Sequence, residues 1–197
     1  MNSPLPSGAH RIASSPRVVH LSSYENADLS QSRESLEAAA RLFDYEPVFD
    51  HQLYFTSSPT EAEKTRRQRD AVAMLLSASQ TLQQAVQDSS HRLQLLVTNQ
   101  DIFSSKMNFA YGLANPELGI AVMSTFRLTR WAEELTPSQI QERVLKEAAH
   151  EIGHLVGLAH CENFRCLMSF SKDLEQVDSK LPLLCNVCSS KPGLRII

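Results

Sequence analysis

Apolar residues along this chain follow two rhythms, one of three to four residues and one of two. These predict helices and strands respectively. The helical rhythm runs through Leu36, Ala39, Ala40 and Phe43 within Ser32 to Phe43. It returns behind Pro59-Thr60, where Ala71, Met74, Leu75, Ala78 and Leu82 form an apolar stripe that Ser89-Ser90 ends. That stretch of good helix formers predicts one long helix. Strands are predicted at Arg17 to Leu21 and through Leu93, Leu95 and Val97; Pro47 to Phe55 predicts a strand or an extended connection. Asn108 to Leu113 and Gly119 to Phe126 predict two more, joined by the turn Ala114-Asn115-Pro116-Glu117. The order is mixed strands and helices, then one strong helix and an irregular tail, without an internal repeat.

The strong helix opens at Thr136-Pro137-Ser138-Gln139, where threonine can cap, proline suits the first turn and glutamine completes a capping box. At about 100° per residue, Ile140, Val144, Ala148, Ile152 and Leu155 centre on one side of it. His150 and His154 lie on the opposite side, one turn apart. A histidine serving only the core would fall within the apolar stripe, so this placement predicts a helix that presents two imidazoles to a cleft.

Two imidazoles at that spacing can bind one zinc ion, and the intervening Glu151 can then reach a metal-bound water as general base. Gly157 can take the left-handed conformation that ends a helix and turns the chain. The turn lets His160 reach the same metal. At average residue usage the whole pattern, His150-Glu151-x-x-His154-x-x-Gly157-x-x-His160, should arise by chance in roughly one of 10⁵ chains of this length.

Composition narrows the setting. The 197 residues suffice for one well-filled domain, expected over 17–197, behind a proline- and serine-bearing leader, 1–16, expected to be disordered. The formal charge of −3 is spread along the chain, so no nucleic-acid partner is expected. Lys64, Arg66, Arg67 and Arg69 stand beside Glu61, Glu63 and Asp70 and predict a solvated helix face. No apolar run reaches the roughly 18 residues of a membrane span, so no membrane partner is expected. The first nineteen residues lack the apolar core of a secretory signal; their lack of acidic residues, with Arg11 and Arg17, leaves an organelle transit peptide open.

All four cysteines, Cys161, Cys166, Cys185 and Cys188, fall in the last 37 residues. In a secreted domain they would predict disulfides, with three possible connectivities. Without a secretory signal a cytoplasmic, reducing location is expected, and clustered cysteines there favour metal.

Beyond His160 the chain resembles the archaemetzincins, a family of metzincin-type zinc metallopeptidases. The resemblance rests on the motif from His150 to His160, then Cys161, Cys166, Met168 and the pair Cys185/Cys188. It is densest from Thr136 to Cys188, with echoes in Arg67-Gln68 and in Asn108-Phe-Ala-Tyr-Gly-Leu-Ala. It implies an α+β fold of metzincin type with a mixed twisted sheet. An upper part, 17–157, would include the zinc helix 137–157, and a cysteine-rich lower part, 158–197, would follow. It also implies that Met168 lies beneath the three-histidine metal, and that the four cysteines hold a second, structural zinc. Cys161-x₄-Cys166 and Cys185-x₂-Cys188 are compact pairs able to close a tetrahedral thiolate site, which has no open position. Two Zn²⁺ per chain are therefore expected, with disulfides as the alternative.

The function implied is hydrolysis of peptide bonds in a peptide or protein substrate, by a monomer. The edge strand above the zinc is expected to pair with extended substrate, and Asn108, Phe109, Ala110, Tyr111 and Gly112 are the candidates. Where some metzincins carry a tyrosine two residues beyond the methionine, this chain has Phe170. The oxyanion stabiliser besides zinc therefore stays open. A zinc-dependent peptide-binding module with little turnover is the alternative; it would have no use for Glu151. A purely structural two-zinc protein fits less well, since three histidines leave one coordination position open.

Overall fold

A parallel core strand needs apolar residues on both of its faces, and Leu95-Leu96-Val97 and Ala121-Val122-Met123 supply them. In the computed structural model, which describes residues 17–86, 92–104, 107–130 and 134–196, these segments are the middle of a mixed sheet. The expected leader 1–16 and the helix terminator Ser89-Ser90 lie outside the described residues. The strands are β1 (Val18–Ser23), β2 (Glu46–Phe49), β4 (Leu93–Thr98), β7 (Gly112–Asn115) and β8 (Ile120–Ser124). They run in the order β2-β1-β4-β8-β7, parallel except for the antiparallel edge strand β7.

Alternation along β4 and β8 sorts the core. Leu95, Val97, Ala121 and Met123 pack with Leu36, Ala39, Ala40 and Phe43 of α1 (Arg33–Arg41) and with Val144, Ala148 and Ile152 of α4 (Pro137–Leu155). Leu96, Ile120 and Val122 point the other way, onto Ala71, Met74, Leu75 and Ala78 of α3 (Ala71–Ala85). Each fully buried aliphatic side chain contributes about 1.5–3 kcal/mol. The tail joins the first of these cores through Leu158, Cys166, Leu167, Met168, Val177 and Cys188. The tail's short helices are α5 (Leu174–Ser179) and α6 (Asn186–Ser189). The fold is thus α+β with a mixed sheet and a cysteine-bearing tail, as expected.

The single long helix predicted beyond Thr60 is a mistaken reading. It divides into α2 (Glu61–Arg66) and α3, with Arg67 left-handed at φ 54° and a two-residue strand, β3 (Arg69–Asp70), between them. The cause is Glu63. It closes a capping box with Thr60, and its buried carboxylate accepts from Arg69 Nε at 3.1 Å and from the Asp70 N–H at 2.9 Å. Lys64, Arg66 and Arg67 are exposed as expected, but Arg69 is buried and pairs with Glu25 at 2.7 Å as well.

The strand predicted over Asn108 to Leu113 also divides. Its first half is β6 (Met107–Ala110), paired with β5 (Ile102–Ser104) in a small sheet ordered β3-β5-β6. Tyr111 makes the crossing, and β7 continues on the main sheet. No helix among the described residues is long and apolar enough to cross a membrane.

Candidate metal centre and cleft

The predicted cap of α4 is present in full: Thr136 accepts from the Gln139 N–H, Gln139 reciprocates, and Pro137 occupies the first turn. At the other end Val156 caps and Gly157 takes φ 90°. The Gly157 N–H donates to His154 O at 3.0 Å and the Leu158 N–H to Gly153 O at 2.9 Å. This is the Schellman arrangement, in which a left-handed glycine closes the helix and reverses the chain. The reversal brings His160 back beneath His150 and His154, whose ring centroids lie 5.3 and 4.8 Å from its own.

One nitrogen of each imidazole falls within 4.8 Å of the others. His150 Nδ1 lies 3.0 Å from Leu167 O, and His154 Nδ1 lies 2.7 Å from Leu158 O. A carbonyl oxygen only accepts, so both Nδ1 atoms donate. Burial shifts both rings towards the neutral form, more strongly at His150, in which each Nε2 carries a lone pair. Those two atoms are 3.1 Å apart. Two facing lone pairs repel unless a cation lies between them. A tetrahedral zinc site has N–N edges of roughly 3.3–3.4 Å from its Zn–N distances of about 2.0–2.1 Å. The donor set therefore fits a metal ion, and the backbone carbonyls orient the ligands.

Glu151 is buried beside them, with Oε2 lacking any hydrogen-bond partner. Burial, and then the charge of Glu147 one turn earlier, push its carboxyl well above the usual range. Glu147 is also buried and is raised by burial. Met168 lies against the same helix, where a Cβ on Gly153 would run into its sulfur and stand 3.1 Å from its Cε. The Cys161 N–H donates to Met168 O at 2.9 Å, closing the loop between third histidine and methionine. Phe170 packs against His160 with centroids 5.2 Å apart.

A cleft of about 670 Å³ opens over this cluster. The candidates Asn108, Phe109, Ala110, Tyr111 and Gly112 all line it, together with Leu113, Ala114 and Phe170. Their backbone roles differ from the expectation of one edge strand. Asn108, Phe109 and Ala110 belong to β6, and Ala110 pairs with Ile102. A proline at Ala110 would therefore injure the small sheet rather than report on substrate. The edge of the main sheet is β7, which of the five candidates contains only Gly112, while β6 is the outer strand of the small sheet.

The four thiols gather separately, their sulfurs within 4.8 Å of one another, without a disulfide. Cys161 and Cys185 Sγ are 3.7 Å apart, close to the roughly 3.8 Å edge of a tetrahedron with Zn–S of about 2.3 Å. The Cys188 N–H and neighbouring thiols hold Cys185 down to about 7, whereas burial pushes Cys188 up.

Three participants escaped the sequence reading: Glu147, Gly153 and Lys180. Glu147 precedes Glu151 by one turn, a signal present in the chain. Lys180 lines the cleft and is 1% exposed.

Residues 53–192 match the family model of peptidase family M54. The archaemetzincin of Aeropyrum pernix is 45% identical over 99 residues, 50% of this chain and 52% of that protein. The aligned region thus spans about half the length of this curated relative. Among solved structures, a zinc-dependent peptidase from Methanocorpusculum labreanum superposes with a TM-score of 0.73 at 30% identity, covering 86% of this chain and 97% of that one. The archaemetzincin of Archaeoglobus fulgidus, complexed with malonate, gives 0.67 at 31% identity over 87% and 98%.

Proposed function

Because this chain belongs to peptidase family M54, the family of the archaemetzincins, we propose that it is a zinc metallopeptidase with Glu151 as general base and acid. His150, His154 and His160 would hold the catalytic zinc, and Cys161, Cys166, Cys185 and Cys188 a structural one. The observation that carries the reading is the convergence of two Nε2 lone pairs 3.1 Å apart beside the unpartnered Glu151 Oε2, at the floor of the cleft.

A zinc ion bound there supplies Lewis acidity, which polarises a carbonyl and acidifies a water. Glu151 Oε2 accepts the proton of the attacking water and returns it to the leaving amine. Met168 and Gly157 serve the site indirectly, the one packing against the zinc helix at Gly153 and the other turning His160 inward.

The free edge of β7 aligns the substrate. Ser124 N–H donates to Tyr111 O at 2.8 Å, and the register pairs Gly112 with Met123 and Leu113 with Val122. In an antiparallel ladder, bonded and non-bonded pairs alternate. Tyr111 and Leu113 therefore turn their backbone groups towards β8, while Gly112 and Ala114 offer theirs to the cleft. An extended peptide pairs with those two residues. Ala114→Pro deletes one outward donor at an edge position that tolerates proline. KM should rise about tenfold, the worth of one hydrogen bond of about 1–1.5 kcal/mol. An unchanged KM would remove β7 from substrate binding.

The unbonded thiols suit a reducing cytoplasm, and the cleft is complete within one chain, which suits a monomer. The deciding experiment incubates metal-replete protein with a diverse peptide library and reads cleavage by mass spectrometry. Glu151→Gln should retain both zincs and lose turnover. Peptide capture without cleavage by the wild type would establish a binding module instead.

A further inference from the structure

Phe109 stands in the cleft wall on β6 with a cation set against its ring. The Arg127 guanidinium lies over that ring, 4.0 Å from its centroid. Tyr111 meets the ring edge-on, with centroids 5.4 Å apart and planes at 78°. Arg127 stands just beyond β8, and Asp101 accepts from its Nε and Nη2 at 2.6 and 2.7 Å. A bidentate pair of this kind fixes the plane of a guanidinium as well as its position. The ring that lies against it is fixed in turn.

The same carboxylate holds the strand that carries the ring. Asp101 Oδ2 accepts from Gln68 Nε2 at 2.9 Å, and that nitrogen also donates to Asn108 O at 3.0 Å. Arg66 Nη2 donates to the same carbonyl at 3.2 Å. The left-handed Arg67 thus sits between two side chains that anchor β6. None of these anchoring residues belongs to either metal-ligand cluster.

The ring they hold is half-buried and opens onto the cleft. Among the described residues that line the cleft, Lys172 is the only exposed Lys, Arg, Asp or Glu; Glu147, Glu151 and Lys180 are buried. An aromatic ring in such a wall favours apolar and aromatic partners. A bare ring also attracts cations within about 6 Å of its centroid. Here Arg127 already takes that place, so a second cation at Phe109 would meet its repulsion.

We propose that Phe109, backed by Arg127, determines specificity: it admits an aromatic or large aliphatic side chain of the substrate and rejects lysine or arginine at that position. The inference rests on the peptidase reading above and names the substrate class of its cleft. Phe109 makes the contact, and Arg127 acts through it.

The test places Phe, Leu, Ala and Lys in turn at each position around the scissile bond of one parent peptide. It reads kcat/KM with metal-replete protein, and ratios between peptides on one preparation are insensitive to partial unfolding. At one position the wild type should favour Phe and Leu over Ala by about tenfold, and over Lys by more. Phe109→Ala should abolish the preference for Phe over Ala there, whereas Phe109→Leu should keep the preference for Leu. Arg127→Met should improve the Lys peptide about tenfold relative to the Phe peptide. Arg127→Lys keeps the charge and should reject lysine as the wild type does.

An unchanged Phe-to-Ala ratio in Phe109→Ala would overturn the proposal. So would an Arg127→Met protein that rejects lysine as strictly as the wild type. If the wild type cleaves none of the peptides, the peptidase reading fails. Dissociation constants of the same peptides for zinc-loaded wild type, Phe109→Ala and Arg127→Met then decide the proposal by the same ratios.

Discussion

Gly112 stands so close to Glu151 that a Cβ on the glycine would lie 2.6 Å from the glutamate Cδ and 2.7 Å from its Cγ. The edge strand and the proposed base are therefore one packed unit, and the space between them admits only hydrogen. Gly112→Ala should displace the carboxylate by about a methyl radius and lower kcat by about a hundredfold. Zinc content should not change. Retention of full activity would mean that Glu151 works from another position.

Gly153 sets the second close approach, between the zinc helix and Met168. Gly153→Ala places a methyl group against the methionine sulfur and 3.3 Å from Phe43 Cζ. Helix propensity alone would favour alanine by about 1 kcal/mol. Overpacking costs about 1–3 kcal/mol, and in this confined site it should win. Thermal unfolding should show a lower midpoint, whereas a rise would show that Met168 moves aside freely.

The thiol cluster should be separable from the histidine cluster by metal content. Wild type should carry two zincs, and Cys185→Ser/Cys188→Ser one, with a marked loss of thermal stability because the metal is part of the folded tail. His150→Ala/His154→Ala should also carry one, with a smaller loss. A single zinc in carefully prepared wild type would exclude the cysteine site.

Acid should weaken the fold through Glu63. Burial pushes this carboxyl up, but the Thr60 and Asp70 N–H groups, the Thr60 hydroxyl and the Arg69 guanidinium outweigh burial and hold it below the usual range. A depressed carboxyl contributes stability above its unfolded value of about 4.3. That contribution disappears as pH falls through the lower folded value. Urea unfolding at about pH 6 and about pH 3 should therefore show a smaller difference for Glu63→Gln than for wild type. Equal differences would remove Glu63 from the acid response.

The elements that sequence reading located well are those whose signals are local. The helix from Thr136 to Leu155 carries its own cap, stripe and stop, and the imidazoles follow from its periodicity. The two stretches read wrongly are governed by distant partners. Arg67 turns left-handed because Glu63 is drawn inward by Arg69 and Asp70. Tyr111 breaks a strand because Ile102 claims one half and Met123 the other. Lys180 was illegible for the same reason, since its neighbours Ser179 and Leu181 reveal nothing of the buried position it takes against Ser169.

The carbonyls that orient the first two imidazoles come from Leu158 and Leu167, both later in the chain than the residues they hold. During synthesis His150 and His154 therefore leave the ribosome before the groups that aim them. A nascent chain ending just past His160 carries all three imidazoles but lacks Leu167, Met168 and Lys180. It should bind zinc as a flexible peptide does, weakly and without a fixed geometry. Tight capture of the metal should mark the emergence of Leu167 and Met168, which makes metal affinity a clock for the synthesis of this segment.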